Sequence, residues 1–200
     1  MKYSIVGDRL GRDFFERAPD DVARALIGSL LVLRDGVRED VAMIVETEAY
    51  GGRNDPASHA FRGPTKRSAI MFGPAGYLYV YLIYGVHWCM NVVTQATDEP
   101  SAVLLRGAQL LSVDESGDLG TPIRGPGNLT KGLGITGNDN GLDCCADDAG
   151  RISFHRSLDD LSSLHVDTSV RIGLSVERDR PSRYYLSGHE AVSKFVAKPK

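Results

Sequence analysis

Two glutamates one residue apart, Glu46 and Glu48, close the apolar run VAMIV at residues 41–45 and are the first groups in the chain suited to acid–base work. On a strand, that spacing puts both side chains on one face, shared with Ala42, Ile44 and Tyr50. Each carboxylate there disfavours the ionised form of the other, and burial acts in the same direction. Arg106 follows the apolar run SAVLL. It either pairs with Glu46 or Glu48, or caps its strand at the surface. Downstream of the glutamates, Tyr77, Tyr79 and Tyr81 alternate with Leu78, Val80 and Leu82, so three phenols line one face of a strand. A carboxylate can deprotonate water or steady a cation, and a row of aromatic faces can hold a flat ring such as a nucleobase. A rival chemistry takes Glu46, Glu48 and His59 as ligands of a hydrolytic metal, although their spacing fits no strong metal pattern. Cys144 and Cys145, with His155 and His165, are poor zinc ligands because adjacent cysteines lack the usual spacer.

The elements that must position these groups are visible around them. Pro19 and two carboxylates, Asp20 and Asp21, precede VARALIGSLLVL, where Val22, Ala25, Leu26 and Leu30 have helical spacing. The helix passes into a strand near Leu31–Leu33, and Asp35-Gly36 reads as a turn. Residues 51–76 are rich in Gly, Pro, Arg and Ser, without sustained periodicity, and read as a long ordered loop of the kind that carries function. That loop holds Arg53, Arg62, Lys66 and Arg67, read either as a basic patch or as a solvated loop. Residues 77–94 read as a β-hairpin with Tyr84 at its tip, His87, Cys89 and Asn91 on one face of the second strand, and Trp88, Met90 and Val92 on the other. A short helix is expected at Asn128–Leu133. Beyond it RISFH, SVRIGLSVERD and SRYYLSG read as short strands, followed by a polar, partly helical tail.

Length and composition bound the answer. Two hundred residues with 42% hydrophobic and 24% charged side chains suit one globular domain spanning 1–200, with loose ends at 1–11 and 196–200. No apolar run is long enough to span a membrane, and the N-terminus is too interrupted by charge for a signal-peptide core. Three cysteines, two of them adjacent, make no disulfide framework, which points to a reducing cytoplasm. The net charge of -3 argues against tight non-specific nucleic-acid binding while leaving room for a local basic patch.

Taken together, VARALIGSLL, IVETEAYGGRNDPASHAF, MFGPAGYLYVYLIYGVHWCMNVVT and AVLLRGA closely resemble the alkyladenine (3-methyladenine) DNA glycosylase family, with fainter echoes in GPGNLTKGLGI and SRYYLSGHEAVS. The resemblance implies an α+β fold: a single domain on a curved antiparallel β-sheet with flanking helices, from which the hairpin protrudes. It implies that Glu48 activates the attacking water and that Arg106 helps position it. Tyr50, His59 and Tyr81 would wall the seat of the flipped base, with Tyr79 in support. Asn91 would exclude the amino group of normal guanine, and Tyr84 would fill the gap left in the duplex. The implied activity is excision of alkylated or deaminated purines (3-methyladenine, ethenoadenine, hypoxanthine) by water attack on the N-glycosidic bond. No lysine of the matching segments is placed for a Schiff base, so a monofunctional enzyme without cofactor or metal is expected. The expected partner is double-stranded DNA carrying a damaged purine. The expected setting is a cytoplasmic monomer, nucleoid-associated if bacterial, with no membrane contact. Val113 to Gly120 is short and acidic where the family carries a longer arginine-rich stretch, which implies weak, salt-sensitive DNA binding. The alternative is a non-catalytic damaged-base or nucleic-acid binding module with the same pocket.

Overall fold

The computed structural model describes residues 6–36, 38–111, 120–146, 150–159 and 164–194. In chain order these form β1 (Val6–Arg9), α1 (Arg12–Phe15), α2 (Pro19–Ala25), β2 (Leu30–Asp35), β3 (Arg38–Tyr50), β4 (Leu78–Ile83), β5 (His87–Thr94), β6 (Ser101–Leu111), β7 (Pro122–Arg124), α3 (Pro126–Gly132), β8 (Ile152–Ser157), β9 (Val166–Ser169) and β10 (Arg183–Leu186). One open antiparallel sheet runs β1-β8-β2-β3-β6-β5-β4. On its flanks β10 adds to β3 and carries β9, and β7 adds to β6. With three short helices packed about the sheet, this is the α+β architecture expected from the sequence. No helix among the described residues is long and apolar enough to cross a membrane.

Pro19 at the helix start and Asp20 and Asp21 in the first turn open α2 as expected. The helix is shorter than its apolar spacing predicts. Leu26 is its last half-turn, and Gly28 at φ 84 turns the chain, so Leu30 already belongs to β2. Val22, Ala23 and Leu26 pack with Leu31, Ile44, Leu105, Met90 and Phe154 in the main core on one side of the sheet. Burying each such large side chain contributes about 1.5–3 kcal/mol.

The centre of the sheet corrects the face assignment read from alternation. Ala42 and Ile44 belong to the main core, and so does Ala49, whereas Val45 packs on the opposite side with Leu186 and Ala191. The registers explain the inversion. Strand β3 pairs regularly with β6 up to Ile44↔Ala108 and again from Thr47↔Leu105, with a β-bulge around Glu46 and Gly107 in between. A bulge adds a residue to one strand and thereby re-aims the side chains beyond it. Glu46 and Glu48 do share a face with Tyr50, but not with Ala42 and Ile44. The bulge also marks where β3 exchanges its neighbour β2, paired over residues 38–43, for β10, paired at residues 46–48.

The hairpin is as the sequence indicates. β4 and β5 pair from Leu78↔Val92 to Ile83↔His87. The connection is Tyr84, Gly85 and Val86, and the Val86 N–H bonds back to the Ile83 carbonyl. The two central residues of that turn, Tyr84 and Gly85, have φ of 53° and 72°, both in the left-handed region. Gly85 adopts this freely; Tyr84 does not, and the residue is 86% exposed. Met90 and Val92 face the main core, while Cys89 and Asn91 face the other way. Of the C-terminal segments read as strands, RISFH and RYYL are strands, but SVRIGLSVERD leaves the sheet after Ser169 and runs as a loop. Residues 187–194 contain no helix, and 195–200 lie outside the described residues, as does the acidic stretch 113–119.

Candidate active site

Strand β3 delivers its two glutamates, each fully buried, to the side of the sheet opposite α2. Each meets arginines from other strands. Glu46 Oε1 accepts from Arg106 Nε at 3.0 Å and from Arg183 Nε at 2.7 Å, and its Oε2 accepts from the Ser193 backbone N–H at 2.7 Å. Burial alone would raise this carboxyl, but Arg106, Arg183 and the Ser193 N–H outweigh it and hold Glu46 below the ordinary carboxylate range. The close passage of Ser193's segment depends on Gly107, where a Cβ would strike the Ala191 carbonyl oxygen.

Glu48 is bonded differently. Its Oε2 accepts from the Tyr50 hydroxyl at 2.9 Å and from Arg106 Nη1 at 3.2 Å. Its Oε1 accepts from the Ile172 backbone N–H at 2.7 Å and from nothing else among the described residues. Oε2 is thus filled, while Oε1 keeps a lone pair able to take a proton. Burial, reinforced by Glu48, pushes the Tyr50 phenol well above its usual pKa, so this hydroxyl is the donor in the pair. Arg106 is shared between the two carboxylates, which resolves the open reading of that residue in favour of the ion pair.

Above Glu48 lies a cavity of about 200 Å³, lined among others by Tyr50, His59, Tyr79, Tyr81, Asn91, Arg106 and Ile172. An apolar cavity of about 150 Å³ already takes a benzene ring, so this one is of the size for a somewhat larger flat ring. Glu48 itself lies one layer beneath the lining, under Tyr50, Arg106 and Ile172, each of which touches it. The His59 Nδ1 and the Tyr79 hydroxyl share a hydrogen bond of 2.9 Å, and the His59 ring stands edge-on to Tyr81 with centroids 4.7 Å apart. Partial desolvation against these rings, with Arg67 nearby, lowers the His59 pKa, so the imidazole is neutral at pH 7. The Asn91 Nδ2 donates to the Tyr79 carbonyl at 3.0 Å, which fixes the amide at the cavity wall. Tyr84 and Ile83 of the hairpin complete the rim. Of the basic loop, whose Arg53, Arg62, Lys66 and Arg67 are all exposed, Arg67 lies over the Tyr81 ring at 4.5 Å and Arg53 over Phe72 at 5.7 Å.

The structure therefore brings together around one cavity the residues to which the resemblance assigns roles: Glu48, Arg106, Tyr50, His59, Tyr81, Asn91 and Tyr84. Among the described residues no three His, Cys, Asp or Glu side chains converge as metal ligands. Glu46 and Glu48 are instead bonded to arginines and His59 to a tyrosine.

Sequence reasoning missed Asp55, Arg171, Ile172 and Arg183. Asp55 had a local signal. It precedes Pro56, and its side chain accepts from the Ala57 N–H two residues on, the turn geometry that Asp favours. Arg171, a lone cation in the apolar run VRIGL, carried the same signal as Arg106 in AVLLRGA.

Burial alone would also raise the Asp55 carboxyl, but its bonds to Arg171 and to the N–H groups of Gly51 and Ala57 prevail and hold it low. Glu46 and Asp55 thus both have depressed pKa values, so their stabilisation is present above the unfolded carboxylate range, about pH 4. It is lost as the pH falls through their folded values. The fluorescence of the single tryptophan, Trp88, and far-ultraviolet dichroism should hold steady from pH 8 to 5 and collapse cooperatively below about pH 4. A transition centred near pH 6 would assign the acid lability to histidine instead.

Comparison with known proteins returns one family and many relatives. The family model described as Methylpurine-DNA glycosylase (MPG) matches residues 13–190. A protein of Anaeromyxobacter sp. (strain Fw109-5) named "Putative 3-methyladenine DNA glycosylase" is 54% identical over 141 residues, 70% of each chain. Proteins of the same name from Rickettsia peacockii and Bradyrhizobium diazoefficiens are 41% and 39% identical. The first alignment covers 89% of this chain and 90% of the relative, the second 97% and 93%.

Proposed function

The chain belongs to the methylpurine-DNA glycosylase family, and on that footing we propose that its aromatic cavity and Glu48 excise alkylated or deaminated purines from duplex DNA. The observation that carries this reading is a buried carboxylate, half of it free to accept a proton, directly under a cavity walled by aromatic rings.

A base inside a duplex is out of reach of any such pocket, so its nucleotide must first leave the stack, at a cost of roughly a few kcal/mol. Tyr84, exposed on a strained turn at the cavity rim, is the side chain placed to fill the gap. The extruded base enters between Tyr50 on one side and His59 and Tyr81 on the other, where stacking contributes about 1–3 kcal/mol per ring. A purine such as 3-methyladenine, alkylated at a ring nitrogen, is cationic in DNA, which electron-rich faces and a neutral His59 favour. Asn91, held by the Tyr79 carbonyl, crowds the position that the amino group of guanine would need.

In the chemical step a water oxygen bonds to the sugar C1′ as the C1′–N bond breaks. The electron pair of that bond leaves with the base, so a cationic base such as 3-methyladenine departs neutral, while ethenoadenine or hypoxanthine departs as an anion that takes up a proton from solvent water. The proton of the attacking water passes to Oε1 of Glu48. Arg106 holds Glu48 in place, and the carboxylate steadies the positive charge that develops on the sugar. The resulting abasic strand is the starting point of base excision repair.

The test is release of free base, read by chromatography, from duplexes carrying one ethenoadenine or hypoxanthine and from methylated DNA at low salt. No release from any of them sinks the proposal and leaves a damaged-base binding module. The Tyr84→Ala variant should excise from duplex about 10- to 100-fold more slowly, the effect of losing one stacked ring. On a single-stranded substrate, which has no gap to fill, its rate should stay close to that of the unaltered protein. Equal losses on both substrates would remove Tyr84 from the extrusion step.

A further inference from the structure

We propose that Arg171 is a positioning residue for the hydrolysis, acting on Glu48 through the Ile172 N–H and on the ring of Tyr50 through its own guanidinium. This rests on the glycosylase reading above and adds to it a residue outside the cavity lining.

The Arg171 side chain is fully buried, and its counter-ion Asp55 nearly so. The pair is bidentate, with Nη1 to Oδ2 at 2.6 Å and Nη2 to Oδ1 at 2.9 Å, and Nη1 also donates to the Ala49 carbonyl at 3.0 Å. The guanidinium lies 4.6 Å from the centre of the Tyr50 ring. Arg171 does not line the cavity and Tyr50 does, so Arg171 backs the ring and leaves its other face to the base. Asp55 neutralises the cation there, so a positively charged base stacking on Tyr50 is not repelled through the ring.

The connection to Glu48 is one residue long. With the side chain of Arg171 locked, the next backbone N–H points at Glu48 Oε1 and settles which lone pair stays free. Ile172, Gly173 and Leu174 then continue along the cavity wall. Asp55 ties down a second part of the lining in the same way, by accepting from the N–H groups of Gly51 and Ala57 in the loop between Tyr50 and His59. One ion pair therefore clamps two of the loops that contribute to the cavity lining. Stability alone is a weak reason for such a pair. A buried ion pair is often no better than well-packed apolar side chains, and here Arg171 Nε is buried without any hydrogen-bond partner among the described residues.

The experiment compares the unaltered protein, Glu48→Gln, Arg171→Lys and a protein with an ester in place of the peptide bond between residues 171 and 172. The ester removes the Ile172 N–H and leaves every side chain intact. Melting and dichroism establish folding, and single-turnover excision from an ethenoadenine duplex is measured beside duplex affinity.

Arg171→Lys should excise about 100-fold more slowly, the usual cost of displacing a reacting group by an ångström. Its affinity for duplex, set mainly by phosphate contacts, should barely change. In both proteins the loss should fall on the single-turnover rate, with the affinity for duplex kept. A folded Arg171→Lys with the original rate, or a slower one whose affinity for duplex falls in step, overturns the proposal. Should the lysine protein fail to fold, the ester protein decides alone by the same two outcomes. An unaltered protein that releases no base would instead overturn the glycosylase reading, and so separates the two failures.

Discussion

Glu48→Gln is expected to fold, to bind damaged duplex, and to release base about 10²- to 10⁴-fold more slowly, the range that a general base contributes. Glutamine fills the same volume but presents one oxygen and one NH₂ group. If the oxygen faces Tyr50 and Arg106, the NH₂ meets the Ile172 N–H, donor against donor; the reverse orientation sets the NH₂ against Arg106. Either way one buried donor is left unpaired, at about 1–3 kcal/mol, which a domain of this size should survive. What the variant cannot do is accept the water proton on Oε1. Single-turnover excision with enzyme in excess isolates that step from product release, and fluorescence anisotropy checks the affinity. Release at the original rate would move the chemistry away from Glu48.

The neighbouring glutamate should behave in the opposite way. Glu46 binds Arg106, Arg183 and the Ser193 N–H, and of these partners only Arg106 lines the cavity, whereas all three partners of Glu48 do. Removing one member of a buried ion-paired group leaves the others charged and unmatched, which costs about 3–5 kcal/mol. For a domain of this length each kcal/mol lowers the melting temperature by about 2–4 °C, so Glu46→Ala should melt roughly 6–20 °C lower. The milder Glu46→Gln, assayed well below its melting point, should still excise base. The two glutamates thus divide into one whose loss is read in rate and one whose loss is read in melting temperature. A Glu46→Ala protein with an unchanged melting temperature and no activity would reverse that division.

How much of this could be read from the chain alone depends on the range of the interaction. The hairpin was legible because alternation over Tyr77–Leu82 and His87–Val92 is strictly local, and because Gly85 marks the turn. The pairing of Glu46 and Glu48 on one face was legible for the same reason. Which face they share was not, since the bulge near Glu46 leaves no mark in composition: it is made by register with β6 and by the arrival of β10. The ion pair of Arg171 with Asp55 joins residues 116 positions apart, and no periodicity within either segment encodes it. The helix read through Leu30 failed at Gly28, whose positive φ turns the chain before the apolar spacing runs out.

The distance in sequence between Glu46 and its partners also bears on how the protein is made. Strand β3 acquires its β10 neighbour, and Glu46 its contacts with Arg183 and Ser193, only from the last part of the chain. At a synthesis rate of roughly 5–20 residues per second, those partners leave the ribosome several seconds or more after the glutamates do. During that interval Glu46 lacks the Arg183 and Ser193 groups that fix it, and Glu48 lacks the Ile172 N–H. The arrangement around the two carboxylates is therefore complete only once the chain has been made as far as Ser193, which makes β10 a condition for the site as well as a support for the fold.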